Sequence, residues 1–432
     1  MDHALVHQIR RQSGSVLAQR RRSDEAAGLV PMDLDSERQY ARSVIRDVLN
    51  EHFQAEAGRG MALPDAAEEA ELAEAVHAAL YGAGALQPLL EDRDIENIDM
   101  QGHDNVFITR AGGRIERGAP VCGSDDELVE LVQTLAATAG LTSRAWDTVN
   151  WELDLRLPGG ERLSAVMAAS ERPHLSIRKP RLGKVALDFL VKNGTVSDDA
   201  AQFLRSAVLA KKNMVICGAT DSGKTTLLRA IANEIPPSER LITVEGVREL
   251  GLDEFKDLHP NIAVWEARLP NSEGQGEISL SSLVRRSLRQ NPSRVIVGEV
   301  LGDEIIDMLR AMSQGNNGSL STIHSDSAQG AFSRIALYAL AAEKPLPIEA
   351  SHMLIAQSIN FVVFISKVRN HETGEEQRRV TEIREVNGFD GQVSSSRVFA
   401  YDHAIGALRA DSQISCLPDL ERHGYYPSGG WM

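Results

Sequence analysis

Eight residues, Gly218-Ala-Thr-Asp-Ser-Gly-Lys224-Thr225, leave this chain few folds to adopt. They fit G-x-x-x-x-G-K-[ST], a loop whose backbone cradles phosphate between a strand and a helix. Both flanks agree. Met214-Val-Ile-Cys217 reads as a short buried strand, and beyond Thr225 the residues Leu227, Leu228 and Ile231 share one helical face. A strand, a tight turn and a helix start aim backbone N–H groups and the positive helix end at one anion. Gly218, Ala219, Thr220, Asp221, Ser222, Gly223, Lys224, Thr225 and Thr226 are therefore the candidate nucleotide-binding residues. Lys224 is expected to reach the β- and γ-phosphates of ATP, and the Thr225 hydroxyl to face Mg²⁺. Asp221 is the awkward member. At about 6 Å and an effective dielectric near 20, its carboxylate costs roughly 3 kcal/mol against each phosphate charge. Its side chain is expected to point into solvent.

Hydrolysis of a metal–nucleotide complex needs carboxylates at strand ends, near the ion and the attacking water. Two apolar strands deliver one each. Arg294-Val-Ile-Val-Gly-Glu299 places Glu299, read with Thr225 as a metal ligand, and Leu241-Ile-Thr-Val-Glu245 places Glu245. Either acid could instead be a solvated loop residue. Gly315-Asn-Asn-Gly-Ser-Leu-Ser-Thr-Ile-His324 ends a further strand at the carboxyl edge, where nucleotides bind in such sheets. His324 is thus a candidate γ-phosphate sensor, with a structural histidine as the alternative. Arg285 and Arg289 lie four apart on one predicted helix face, over 281–290. They could stabilise transition-state charge or form surface ion pairs.

A length of 432 residues suits two or three domains. From residue 186 to 401, strands and helices alternate, which predicts an α/β fold with a mostly parallel sheet covered on both faces. This is the pattern of a RecA-like P-loop ATPase domain. It ends in an antiparallel hairpin over 378–386 and 393–400, with a turn at 387–391. A smaller α+β domain is expected over 66–180. Residues 1–65 read as a basic tail followed by a helix at 36–55, and residues 402–432 as a C-terminal tail without a readable period. Arg10, Arg11, Arg20, Arg21 and Arg22 make the first 35 residues look solvated and partly disordered. Leu5, Val6 and Ile9 offer a weak helical face to a membrane surface or a partner. A net charge of −15 and a pI near 5.3 argue against a general nucleic-acid binder. Cys122, Cys217 and Cys416 are far apart and read as reduced thiols. No apolar run approaches the ~20 residues that span a bilayer, and no signal-peptide core opens the chain. A soluble, cytoplasmic protein is expected.

Together these residues resemble the type II/type IV secretion ATPase superfamily, nearest its CpaF/Tad-pilus branch. The likeness runs from about Gly82 to Val386. Gly82-Ala-Gly-Ala-Leu-Gln-Pro-Leu-Leu-Glu-Asp resembles the family's N-terminal domain opening, and Leu175-Ser-Ile-Arg178-Lys its run into the motor. Ile242-Thr-Val-Glu245 falls at the Asp box, Val297-Gly-Glu299 at Walker B, and Gly318-Ser-Leu-Ser-Thr-Ile-His324 at the His box. The resemblance implies a cytoplasmic hexameric ATPase using ATP and Mg²⁺, which powers pilus assembly or secretion through an inner-membrane platform protein. It leaves room for peripheral association with the inner face of the cell membrane. ATP would sit at protomer interfaces, completed in trans by Arg178, Arg285 or Arg289. Gly246, Asn316 and Leu301 stand where the family has an acid, a histidine and an arginine. Lys224, Thr225, Glu245, Glu299 and His324 remain, so hydrolysis is expected to persist. Those three departures raise a different class, a nucleotide-binding ring scaffold with little turnover. A conjugation-type DNA-transfer ATPase is a third reading, against which the acidic charge weighs.

Overall fold

The computed structural model describes residues 3–28, 32–61, 63–111, 113–138, 146–179, 184–268, 270, 274–369, 374 and 376–427. The chain divides into two compact units, one of residues 1–181 with 271–273, the other of residues 182–270 with 274–432.

The first unit opens with three helices, α1 (His3–Ala26), α2 (Leu34–Ala57) and α3 (Ala66–Tyr81). A solvated tail was expected where α1 lies, and the structure corrects it. Ile9 and Leu17 are buried against Ala41, Ile45 and Leu49 of α2 and Val76 of α3. The arginines stay outside: Arg20 pairs with Asp24 at 2.9 Å, and Arg21 meets Glu37 on α2. So thin an apolar stripe does not hold a helix alone. It becomes stable through partners distant in sequence, which a local reading of charge does not register.

After α4 (Gln87–Glu91) come β1 (Ile95–Gln101), β2 (Val106–Arg110), β3 (Ile115–Arg117), α5 (Asp125–Thr138), β4 (Glu152–Arg156), β5 (Arg162–Val166) and β6 (His174–Arg178). The strands form one antiparallel sheet in the order β3-β2-β1-β6-β5-β4. Leu128, Val132 and Leu135 of α5 share its core with Ile98, Leu163 and Ile177. Alternate burial along β4 and β5 is the signature of a sheet with one wet face.

The second unit runs α6 (Leu187–Lys192), α7 (Asp198–Leu209), β7 (Met214–Gly218), α8 (Lys224–Ala232), β8 (Leu241–Glu245), β9 (Ile262–Glu266), α9 (Leu280–Ser287), β10 (Arg294–Val300), α10 (Glu304–Ser313) and β11 (Leu320–His324). It continues through α11 (Ala328–Ala341), α12 (Ile348–Ser358), β12 (Phe361–Arg369), β13 (Glu376–Asp390), β14 (Gln392–Asp402), β15 (Ala407–Ala410) and α13 (Leu417–Glu421). The sheet order is β15-β14-β13-β12-β7-β11-β10-β8-β9. From β12 to β9 every neighbour is parallel, and from β12 to β15 every neighbour is antiparallel. This is the α/β fold expected for the region.

β7 lies inside the sheet between β12 and β11, and both its faces are covered. Met214 and Ile216 join a core with α7 and α8, while Val215 and Cys217 join another with α10, α11 and α12. Asn213, just ahead of β7, anchors it. Its side-chain amide donates to Met312 O (2.9 Å) and Ser358 O (2.7 Å), and its oxygen accepts from Gly318 N (2.8 Å) and Ser319 N (3.0 Å). Every hydrogen-bonding position of that side chain is filled, so the strand feeding the loop is fixed at its base.

The antiparallel end differs from expectation in detail. β13 runs to Asp390, so the turn expected over 387–391 shrinks to Gly391, which takes φ 69°. A register shift between Val386 and Gly388 absorbs the extra residue. The segment expected as a C-terminal tail packs instead. Glu385 accepts from Ser415 N (2.6 Å) and Cys416 N (3.0 Å), and buried Tyr425 meets Phe203 with ring centroids 5.6 Å apart. Among the described residues no helix is long and apolar enough to cross a membrane.

Candidate nucleotide site

The loop between β7 and α8 is shaped by two left-handed residues, Asp221 (φ 56°) and Gly223 (φ 99°), on either side of buried Ser222. Alternation of this kind turns successive N–H groups to one side, as an anion requires. The fit to its surroundings is close: a Cβ on Gly218 would stand 2.3 Å from Ile365 O of β12. Lys224, the first residue of α8, is buried. Its Nζ donates to Ala219 O (2.9 Å) and lies 3.3 Å from His324 Nδ1. His324 Nε2 in turn lies 2.7 Å from Glu299 Oε1. A histidine carrying its proton on Nε2 satisfies both neighbours, accepting from the lysine and donating to the acid. Three residues from three elements, picked out singly in the sequence, therefore form one line at the carboxyl edge of the sheet.

Glu299 reaches that line through a defect in β10. The pairing of β10 with β11 shifts register between Val297 and Val300, and Thr322 Oγ1 donates to Gly298 O at 2.7 Å within the shift. Such bulges re-aim a side chain. Gly298 also has to be glycine-sized, because a Cβ there would lie 2.9 Å from Glu245 Cγ. Glu245 is buried rather than solvated. Its Oε1 accepts from Glu249 N (2.8 Å) and Leu250 N (2.9 Å), and its Oε2 is buried with no hydrogen-bond partner among the described residues.

Other expected residues are placed differently. Asp221 is half exposed but does not point freely into solvent. Its carboxylate pairs with Lys367 (2.9 Å) on β12 and Arg378 (2.6 Å) on β13. Burial pushes that carboxyl up, yet the two cations outweigh it and hold it below the ordinary carboxylate range. The sequence reading missed Lys367 and Arg378, which lie about 150 positions from the loop and carry no local signal. Arg285 and Arg289 do not share one helix face. α9 stops at Ser287, whose hydroxyl bonds back to Val284 O (2.7 Å), and Asn291 (φ 53°) then leads into Pro292. Arg285 pairs with Asp307 at 2.7 Å, and exposed Arg289 sits in the turn beyond. Arg178 is exposed at the end of β6 in the first unit. Thr220 and Thr226 are exposed, and Thr225 half-buried. Leu301 and Gly246 are exposed, and Asn316 half-buried.

Residues 80–402 match the model of the type II/IV secretion system protein family. The chain belongs to that family. It is an ATP-hydrolysing enzyme of secretion machinery, and membership implies use of ATP and Mg²⁺. A Mycobacterium tuberculosis protein, provisionally named for conjugal transfer, is 32% identical over 352 residues, covering 79% of this chain and 94% of its own. The type IV secretion system protein PtlH of Bordetella pertussis is 32% identical over 312 residues, or 66% of this chain and 88% of its own. The Legionella pneumophila ATPase DotB aligns with a TM-score of 0.51 at 19% identity, over 69% of this chain and 79% of that structure. At that identity the likeness concerns the fold alone.

For a secretion ATPase the donors present suit both substrate and ion. The shaped loop and the helix start suit phosphate. The Glu299 carboxylate and the Thr225 hydroxyl are hard oxygens, the kind of which Mg²⁺ takes one or two from protein; the bound ion would neutralise phosphate charge. Burial pulls the Lys224 ammonium below the usual lysine range. Burial likewise pushes Glu245 up to about 7 from an ordinary 4.5, although the N–H groups of Glu249 and Leu250 oppose it. A base poised near neutrality suits proton transfer from water.

The same shift has a stability consequence with a definite sign. The folded value lies above the unfolded one, so the contribution is complete below pH 4.5 and lost as pH rises through about 7. Glu245→Gln keeps an oxygen for the two N–H donors and removes the titration. Across that window wild type is expected to lose roughly 3 kcal/mol relative to the variant. Denaturant unfolding of both proteins at pH 5 and pH 8 measures it. A stability difference unchanged between the two pH values would contradict the burial of an ionising carboxyl.

Proposed function

We propose that this secretion ATPase works in the cytoplasm as a homo-oligomeric ring, most simply a hexamer, that drives a pilus or secretion machine against an inner-membrane platform protein. The CpaF/Tad-pilus branch is the assignment favoured by the sequence motifs. The observation that carries the catalytic part is the line Lys224–His324–Glu299 beside the phosphate loop. In this reading Lys224 neutralises the transferred phosphate, and Glu299 with Thr225 holds Mg²⁺. Glu245 accepts a proton from the attacking water. His324, bonded to both the lysine and the acid, registers whether a γ-phosphate has drawn Lys224 away.

Arginines from a neighbouring protomer would complete the site. All three are exposed, but Arg285 is already paired with Asp307 of its own protomer, which makes Arg178 and Arg289 the stronger candidates. An arginine supplied from outside can raise turnover by ~10³–10⁵. The test is mixing. Arg178→Ala/Arg289→Ala protein and Lys224→Ala protein, each inactive alone, should recover part of the turnover when combined, because mixed rings contain some intact interfaces. No recovery in rings shown to exchange subunits would place those arginines outside a shared site. The name of the mycobacterial relative favours DNA transfer as a second reading; salt-sensitive DNA binding would support it, and the charge of −15 weighs against it.

A further inference from the structure

Asp221 stands at the tip of the phosphate loop in a left-handed conformation that a non-glycine residue adopts at some cost (φ 56°). What holds it there is the hairpin of β12 and β13. β12 pairs with β7 from Phe361 to Phe364, and then continues past the end of β7 alongside the loop. Its Lys367 Nζ lies 2.9 Å from Asp221 Oδ2. From β13, Arg378 Nη2 lies 2.6 Å from Asp221 Oδ1, and Arg378 Nε donates to Asp221 O at 3.1 Å. The stem of Arg378 also lies against the loop, 3.2 Å from where a Cβ on Gly223 would stand. Both side-chain oxygens and the backbone carbonyl of one loop residue are thus tied to two adjacent strands.

We propose that Asp221 is a positioning residue of the phosphate loop: its ties to Lys367 and Arg378 hold the left-handed turn in the shape that receives phosphate. The proposal rests on the nucleotide reading of the loop. Two electrostatic effects oppose each other. An isolated carboxylate here would repel phosphate, and its removal would tighten nucleotide binding. A carboxylate already paired with two cations repels phosphate little; its removal leaves cations that attract phosphate, but takes from the loop the tether that holds its left-handed turn, and the loss of the tether is the larger effect. The observed pairing selects the second effect, so weaker binding is expected.

Steady-state ATP hydrolysis by Asp221→Asn, Arg378→Gln and the double variant decides between them. Asparagine tolerates the left-handed conformation and removes only the charge. Each single change should raise KM for ATP roughly three- to tenfold, since two half-exposed ion pairs are each worth a factor of a few. kcat should stay within about twofold of wild type, because the chemical step is untouched. The double variant should be no worse than the poorer single, and Arg378→Lys should fall between wild type and Arg378→Gln. A KM that falls or does not move, or single effects that multiply, would overturn the proposal. Thermal melts show whether each variant is folded, and Asp221→Asn, the mildest change, carries the test if another is not. Lys224→Ala in the same series separates the two layers. If it hydrolyses ATP as wild type does, the nucleotide reading fails. If it is inactive while the Asp221 and Arg378 variants keep wild-type KM, only the tether fails.

Discussion

Glu299→Gln is expected to bind ATP with an affinity near that of wild type while its turnover falls about a hundredfold or more. The amide keeps the size of the side chain, and its oxygen can still accept from His324 Nε2, the present partner at 2.7 Å. The bulge that aims residue 299 is set by backbone and by Thr322, neither of which changes. Only the negative charge is lost. That charge matters little to the adenine and ribose of the nucleotide, whereas in the proposed site it would hold Mg²⁺ beside the phosphates. Binding of a fluorescent ATP analogue and phosphate release, measured on the same preparation, separate the two quantities. Equal loss of affinity and turnover would mark Glu299 as a structural residue.

Lys224→Ala is expected to lose more, both binding and turnover, with hydrolysis down roughly a thousandfold or more. The ammonium is buried at the first position of α8, where it reinforces the positive helix end. Its replacement removes a charge that water cannot readily replace, and leaves His324 Nδ1 without its 3.3 Å neighbour. The line to Glu299 is then broken at its origin. The fold should survive, because Leu227, Leu228 and Ile231 of α8 remain in the core.

The parts of this protein legible in its sequence are those where neighbours in sequence do the work. The strand–loop–helix around Gly218 could be read because β7 is uniformly apolar and Lys224 opens the helix at the far end of the Gly-rich loop that follows. β10 and β11 could be read the same way, and with them Glu299 and His324 at their ends. Their meeting through His324 could not, since nothing local says which strands lie side by side. The pairing of Asp221 with Lys367 and Arg378 is non-local to the same degree, so the sequence showed an unexplained charge where the structure shows a neutralised one. α1 illustrates the converse: its arginines dominated a local reading, and its burial depends on α2 and α3. The helix bearing Arg285 and Arg289 was read too long because Ser287, Asn291 and Pro292 end it through geometry that apolar periodicity does not encode.

Phosphate release from Mg²⁺·ATP, followed at steady state for the purified wild-type chain and for Lys224→Ala side by side, tests the central claim most directly. Wild type should turn over ATP at a rate that saturates with nucleotide and vanishes when Mg²⁺ is chelated, and Lys224→Ala should release no phosphate above background. Equal rates from the two proteins would contradict the assignment of Lys224, His324 and Glu299 to an ATP-hydrolysing site.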